Sequence, residues 1–269
     1  MNIALVLAGG TGTRLGGDIP KQYIEVGGQP SINYALKTLA MHERIDGIWI
    51  VANSDWHSFL WENMDAVVSK KFLGVRLPGE NRQLSIVSGM KGIRAYLDRC
   101  KMEACGDANH SANIHEKDAL GVEAVSGNEI MDTVFVHDAA RPCLTSQMIT
   151  QCYEALPGHD GVIPVLPMKD TVYLSKDGKV VSQLLNRSEV FAGQAPELFL
   201  LDKYMAANEA LIRYSDNGNV AGDSPILSIN GSTEPAILYG MDMAMIPGDE
   251  KNFKVTTPVD LERFRELCK

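Results

Sequence analysis

Hydrophobic and polar positions fall along this chain in alternating blocks of two kinds. Short apolar runs at Ile3 to Ala8, Ile48 to Ala52, Val75 to Leu77, Thr133 to Val136 and Val162 to Leu166 have strand length and no alternation, which predicts strands covered on both faces. Between them lie stretches with helical spacing. Ile32, Ala35, Leu36 and Leu39 share one face of a helix for which Ser31 is the expected N-cap, and Ser85 to Leu97 repeats that spacing. Near the C-terminus, Thr257, Pro258 and Asp260 stand at the cap, first and third positions of a last helix. Strands alternating with helices predict an α/β fold with a mostly parallel sheet, whose ligands sit beyond the carboxyl ends of the strands.

Two segments break the pattern. Residues 100–130 are rich in Ala, Gly, Asn and charge and read as an insertion between a helix and the next strand. Within it, Cys100, Cys105, His110 and His115 follow a C-x4-C-x4-H-x4-H spacing, a set of soft ligands that Zn²⁺ accepts, although a lobe without metal is the preferred reading. Residues 168–195 form the second exception. An Asp177-Gly178 turn between Thr171–Leu174 and Lys179–Val181 predicts a β-hairpin, either a subunit contact or a plain surface hairpin.

Composition narrows the class. The 269 residues are 45% hydrophobic and 22% charged, ordinary for a globular protein and enough for one large α/β domain. No apolar run approaches the roughly 18–20 residues of a membrane span, and no basic segment precedes Gly9-Gly10, so a cytoplasmic location is expected. The five cysteines include no C-x-x-C pair, which fits a reducing compartment. A net charge of −9 argues against a broad nucleic-acid surface. Yet Arg14, Lys21, Arg82, Arg141, Arg187 and Lys254 all fall inside the motifs below, an arrangement suited to a small, highly anionic ligand.

The densest motif is Leu5 to Gln22, LVLAGGTGTRLGGDIPKQ. Glycines after a buried strand let the backbone approach a ligand and gather N–H groups around an anion. The dinucleotide fingerprint G-x-G-x-x-G fails by one residue, since Gly10, Gly12 and Gly16 are spaced G-x-G-x-x-x-G, and no Gly-Lys-Ser/Thr follows as a P-loop needs. Three further segments carry chemistry. Gly79-Glu80-Asn81-Arg82-Gln83-Leu84-Ser85 opens a helix and offers donors and a carboxylate to a nucleotide. Val136-His137-Asp138-Ala139-Ala140-Arg141-Pro142 places an aspartate at a strand end and an arginine three residues on, suited to a metal-bound phosphate and a second anion. Asn252-Phe253-Lys254-Val255-Thr256-Thr257-Pro258 puts a lysine on an expected strand just before the capped helix.

In that order, and with MKDTVYL and NRSEVFAGQAPELF between the last two, these motifs resemble the cytidylyltransferase family. That family includes 2-C-methyl-D-erythritol 4-phosphate cytidylyltransferase of isoprenoid synthesis and ribitol-5-phosphate cytidylyltransferase of teichoic acid and capsule synthesis. The resemblance implies a three-layer Rossmann-like nucleotidyltransferase fold, a mostly parallel twisted sheet with a protruding β-arm, in one domain over residues 1–269. It implies transfer of CMP from CTP to a polyol phosphate with release of pyrophosphate, with Mg²⁺ as cofactor. It also implies roles. Ala8, Gly9, Gly10, Thr11, Gly12 and Thr13 would wrap CTP, together with Gly79, Glu80, Arg82 and Ser85. Arg14 and Lys21 would bracket the triphosphate, and Lys254 would reach the α-phosphate. Asp138, Arg141, Thr171 and Ser232 would meet the polyol phosphate, with Asp138 the nearest carboxylate to Mg²⁺. Arg187, in the arm, would serve the neighbouring subunit of a homodimer.

The chain departs from the family's pattern at two points. Its usual Thr-Asp before the last strands reads Ser232-Thr233-Glu234-Pro235, and its usual T-P-Q reads Ala195-Pro196-Glu197. Both bear on which polyol is used. A sugar-1-phosphate nucleotidylyltransferase using UTP or dTTP, and a non-catalytic nucleotide binder, are the alternatives.

Overall fold

Residues Asn2–Leu7 form strand β1, and their apolar run is continuous because both faces are covered. Ile3 and Leu5 enter one core while Ala4 and Val6 enter the other, the period-2 alternation of a strand. The computed structural model of the chain describes residues 1–10, 19–108, 131–216, 229 and 231–269. After β1 the strands are β2 (Glu25–Val26), β3 (Gln29–Pro30), β4 (Gly47–Val51), β5 (Phe72–Arg76), β6 (Thr133–Asp138), β7 (Gly161–Pro167), β8 (Val172–Leu174), β9 (Gln183–Leu185), β10 (Phe191–Gly193), β11 (Glu197–Leu200) and β12 (Met243–Pro247). The helices are α1 (Ile32–Met41), α2 (His57–Asn63), α3 (Ala66–Ser69), α4 (Arg82–Ala108), α5 (Ser146–Ala155), α6 (Leu201–Asp216), α7 (Glu234–Leu238) and α8 (Pro258–Leu267).

Eight strands make one sheet in the order β10-β7-β11-β6-β1-β4-β5, with β12 also on β7. β1 runs parallel to β4 and β6, β4 parallel to β5, and β12 parallel to β7, while β10 and β11 are antiparallel to their neighbours. The sheet is therefore mostly parallel, and the carboxyl ends of β1, β4, β5 and β6 open on the same edge. Leu36, Leu60, Val68 and Ile149, from α1, α2, α3 and α5, cover one face. Ile86, Met90, Ile93 and Tyr204, from α4 and α6, cover the other, which completes three layers.

α4 lies close to the sheet because two glycines allow it. A Cβ on Gly89 would stand 2.3 Å from Leu5 Cδ1, and one on Gly92 would stand 2.6 Å from Trp49 Cζ2. Any side chain there would lift the helix. That docking fixes the N-terminus of α4 beside the ends of β1 and β6, where the candidate site lies.

Several local expectations shift. The strand expected at Val75–Leu77 is β5, and Leu77 lies beyond it. The helix expected over Ser85–Leu97 begins at Arg82, because Asn81 Oδ1 accepts the Leu84 N–H at 2.8 Å and caps it earlier. It also runs on to Ala108, so Cys100 lies within the helix. His110 and His115, most of the expected insertion and the side chain of Cys105 lie outside the described residues. Ser31 is no side-chain cap: its backbone is already helical and its Oγ donates to the Lys21 carbonyl at 3.0 Å. In the arm, β8 pairs with β9, so the return strand is Gln183–Leu185 and not Lys179–Val181. Asp177 Oδ1 accepts the N–H groups of Lys179 and Val180 at 2.9 and 3.0 Å, which bends those residues into the loop.

At the C-terminus the capping box forms in full, with Thr257 Oγ1 accepting the Asp260 N–H and the Asp260 carboxylate accepting the Thr257 N–H. Thr257→Ala is expected to lower stability by about 1 kcal/mol, read as a lower urea midpoint at unchanged slope. Among the described residues no helix is long and apolar enough to cross a membrane.

Candidate active site

The turn after β1 is tied from behind. Gln22 Nε2 donates to the carbonyls of Ala8 and Gly10 at 2.7 and 2.8 Å, and Asn53 Nδ2 donates to the Gly9 carbonyl at 3.2 Å. Each carbonyl of residues 8–10 thus has a side-chain donor, which leaves the turn less repulsive to an anion. Gly9 is needed sterically, since a Cβ there would lie 2.6 Å from Pro78 Cβ. Ala8 itself is buried and supports the turn without lining the cavity. Gln22→Ala is expected to cost about 1–3 kcal/mol, measured by urea unfolding, because the Gly10 carbonyl loses its side-chain donor and the Ala8 carbonyl keeps only Tyr23 Oη at 3.3 Å.

A cavity of about 550 Å³ opens between this turn, the end of β6 and the start of α4. Gly9, Gly10, Lys21, Gly79, Glu80, Arg82, Ser85, Asp138 and Lys254 line it, as the motifs lead one to expect. Ser85 also closes the turn into α4: its Oγ accepts the Gly79 N–H at 3.1 Å and donates to the Asn81 carbonyl at 2.7 Å.

Asp138 is the electrostatic centre. Arg82 Nη2 and Nε donate to its Oδ1 at 2.9 and 3.2 Å, and Lys254 Nζ stands 2.9 Å from its Oδ2. Arg141 Nε is 3.9 Å from the same oxygen. Burial alone would push the Asp138 carboxyl up, but Arg82 and Lys254 outweigh it and hold the group well below the usual carboxylate range. Lys254 lies on a segment without strand pairing, which corrects the expected strand. It is pinned on both sides: Val255 N–H donates to the Ala140 carbonyl at 2.8 Å, and Asn252 Nδ2 donates to the Ala195 carbonyl at 2.7 Å.

His137, beside Asp138, faces the opposite core. Its Nε2 meets the Arg141 carbonyl at 2.9 Å, and burial lowers its pKa to about 4, so it is a neutral brace for the loop.

Of the expected polyol-phosphate residues only Asp138 lines the cavity. Arg141 stands behind the cavity wall, its Nη1 donating to the Asn252 carbonyl at 2.7 Å. Thr171 and Arg187 are exposed on the arm, where Arg187 Nη1 donates to the Lys169 carbonyl at 2.8 Å. Ser232 is 1% exposed and its Oγ donates to Glu197, so it offers no hydroxyl to the cavity. Thr11, Gly12, Thr13 and Arg14 lie outside the described residues.

A resident Mg²⁺ does not fit these side chains. Both oxygens of Asp138 are engaged by cations, and among the described residues no group of three His, Cys, Asp or Glu could hold an ion. Asn53, Thr256 and Glu197 went unremarked as site residues in the motifs. Asn53 follows the end of β4 as Asp138 ends β6, a positional signal available from the strand reading alone.

The chain matches the family described as IspD, 2-C-methyl-D-erythritol 4-phosphate cytidylyltransferase, over residues 2–99 and 111–266. A relative of that description from Corynebacterium glutamicum is 29% identical, the alignment covering 96% of this chain and 89% of the relative. A ribitol-5-phosphate cytidylyltransferase from Streptococcus agalactiae is 26% identical over 99% of this chain and 95% of its own. Among solved structures, 4-diphosphocytidyl-2C-methyl-D-erythritol synthase from Anaerococcus prevotii superposes with a TM-score of 0.69 at 20% identity, covering 99% of this chain and 95% of that one, a likeness of fold. With its three-layer sheet, its Gly9-Gly10 turn and its Asp138 cluster in place, the chain belongs to the IspD family of cytidylyltransferases.

Proposed function

We propose that the protein transfers CMP from CTP to a polyol phosphate, 2-C-methyl-D-erythritol 4-phosphate or D-ribitol 5-phosphate, and releases pyrophosphate. The observation that carries this reading is the convergence of Arg82, Asp138 and Lys254, from three distant segments, in the cavity that also holds Gly9, Gly10 and Lys21.

In this reading an oxygen of the acceptor phosphate attacks the α-phosphorus of CTP in line. The new P–O bond forms as the bond to the β-phosphate oxygen breaks, and the electron pair leaves on pyrophosphate. No protein nucleophile is needed, because the acceptor is already an anion. The obstacle is repulsion between two anions, and fixed cations together with the N-terminus of α4 oppose it. Lys254 serves the α-phosphate, while Lys21 and Arg14 serve the rest of the triphosphate. Gly9 and Gly10, with Thr11, Gly12 and Thr13, hold the nucleotide, and Gly79, Glu80 and Ser85 hold the nucleoside. Asp138 orients Arg82 and Lys254, and Arg141 steadies Asp138 and the Asn252 carbonyl from behind. Mg²⁺ arrives on the triphosphate, so Mg·CTP is the substrate.

Thr171 and Arg187 enter through the partner's arm in a homodimer. Tyr173, Leu184 and Val181 are 59%, 61% and 58% exposed there, apolar surface that a second subunit would cover. The cytosol is the working compartment, where thiols such as Cys143 and Cys152 stay reduced.

The test is product identity. With CTP and either polyol phosphate, ³¹P NMR is expected to show the coupled doublets of a CDP-polyol beside pyrophosphate. Turnover with UTP or dTTP and a sugar 1-phosphate instead would assign the alternative donor class.

A further inference from the structure

Glu197 opens β11 and pairs in register with Val136 of β6. Asp138 lies two residues beyond Val136, so both carboxyls leave the sheet on the same face, the one that α4 covers. Arg82, the first residue of α4, meets both: its Nη2 is 2.9 Å from Asp138 Oδ1 and 3.6 Å from Glu197 Oε2. The same Glu197 oxygen accepts the Ser232 hydroxyl. From Ser232 a buried polar chain continues. Tyr204 Oη donates to the Ser232 carbonyl at 2.6 Å, and Gln83 Nε2 donates to Tyr204 Oη at 3.2 Å and also to Asn208. Arg82 and Gln83, neighbours on the first turn of α4, are therefore held at the two ends of one network.

We propose that Glu197 is a positioning residue that fixes Arg82 for the reaction and ties it to the Ser232 segment. Asp138 is shared between Arg82 and Lys254, and an incoming phosphate competes with it for both cations. Glu197 is 7% exposed and holds Arg82 from the side, so it sets where the guanidinium goes when its bond to Asp138 loosens. Neighbouring ionisable groups come from each packed element: Arg82 from α4, Asp138 from β6, Arg141 after β6 and Tyr204 from α6. Burial raises the Glu197 carboxyl above its ordinary range, Arg82 and Ser232 offset this in part, and Asp138 raises it further. Protonation therefore releases Arg82 as pH falls through a value above that of an ordinary glutamate.

The kinetic readouts rest on cytidylyl transfer as proposed above; a spectroscopic one does not. Glu197→Gln copies the protonated side chain and still accepts from Ser232. Its kcat at alkaline pH is expected to fall on the order of 10-fold with little change in KM for CTP, and to lose the wild-type decline toward acid that belongs to Glu197. Its Tm at pH 7 stays at or above wild type, since a buried ionisable group has been removed. Ser232→Ala, which deletes a hydrogen bond to the ionised form, is expected to move the acid decline to higher pH. By NMR, the Arg82 Nε–H resonance titrates with Glu197 in the wild type and not in Glu197→Gln. Equal titration in both proteins, wild-type kcat and acid limb in Glu197→Gln, or a loss of Tm and kcat together without change of pH profile would each overturn the proposal. Wild-type protein without turnover would refute cytidylyl transfer alone, and the Arg82 resonance would still decide the role of Glu197.

Discussion

Lys254→Ala is expected to lower kcat by about 10²–10³ while the protein stays folded. Its ammonium is placed by anchors on either side, the Val255 backbone N–H on the Ala140 carbonyl and the Asn252 side-chain amide on the Ala195 carbonyl, so truncation removes the charge without freeing the segment. Asp138 keeps Arg82 and Arg141 as partners, which limits the structural cost. Lys254→Met, which retains length, should be as inactive as alanine if charge is what matters. Lys254→Arg should recover little, because a planar fork cannot occupy the same point beside Asp138. Steady-state pyrophosphate release and thermal melts on the same preparations check both halves of the expectation.

Asp138→Asn is expected to affect activity and stability together. Three cations face this carboxyl and its side chain is 10% exposed, so neutralising it leaves buried positive charge with a poorer partner. The expected cost is about 3–5 kcal/mol, read from urea unfolding at pH 7. The sign with pH follows from the depressed folded-state value. Asp138 contributes stability that is fully present above its unfolded pKa of about 3.9 and is lost as pH falls through the folded value below it. Wild type and variant should therefore differ by a constant amount from pH 8 to pH 5 and converge only in stronger acid. Convergence already near neutrality would mean that Asp138 is not held by these cations.

Much of this site could be read from the sequence where chemistry is local. Gly9 and Gly10 follow an apolar strand, Arg82 opens a helix, and Asp138 ends a strand, and each lines the cavity as its motif implied. The Thr257 capping box was legible for the same reason, since all its partners lie within four residues. What the sequence hid was long-range. Nothing local tells that Arg82 reaches Asp138 across 56 positions, or that Gln22 braces two carbonyls of the Gly9-Gly10 turn. Lys254 read as a strand residue just before a capped helix, yet it has no strand partner among the described residues, and its segment rests on loop and side-chain bonds instead. Ser232 read as a substrate contact from its place in the motif order, but the buried carboxyl of Glu197 takes its hydroxyl. Thr171 and Arg187 sit exposed on the arm, where nothing in their neighbourhood in the sequence signals that they stand away from the cavity.

A crystal structure with CTP and Mg²⁺, without acceptor so that no turnover occurs, decides whether this cavity is the nucleotide site. The triphosphate is expected beside Gly9 and Gly10 with its α-phosphate in hydrogen-bond reach of Lys254 Nζ, and Mg²⁺ on phosphate oxygens with no bond to Asp138. CTP bound elsewhere, or in this cavity with its α-phosphate turned away from Lys254 and Arg82, would contradict it.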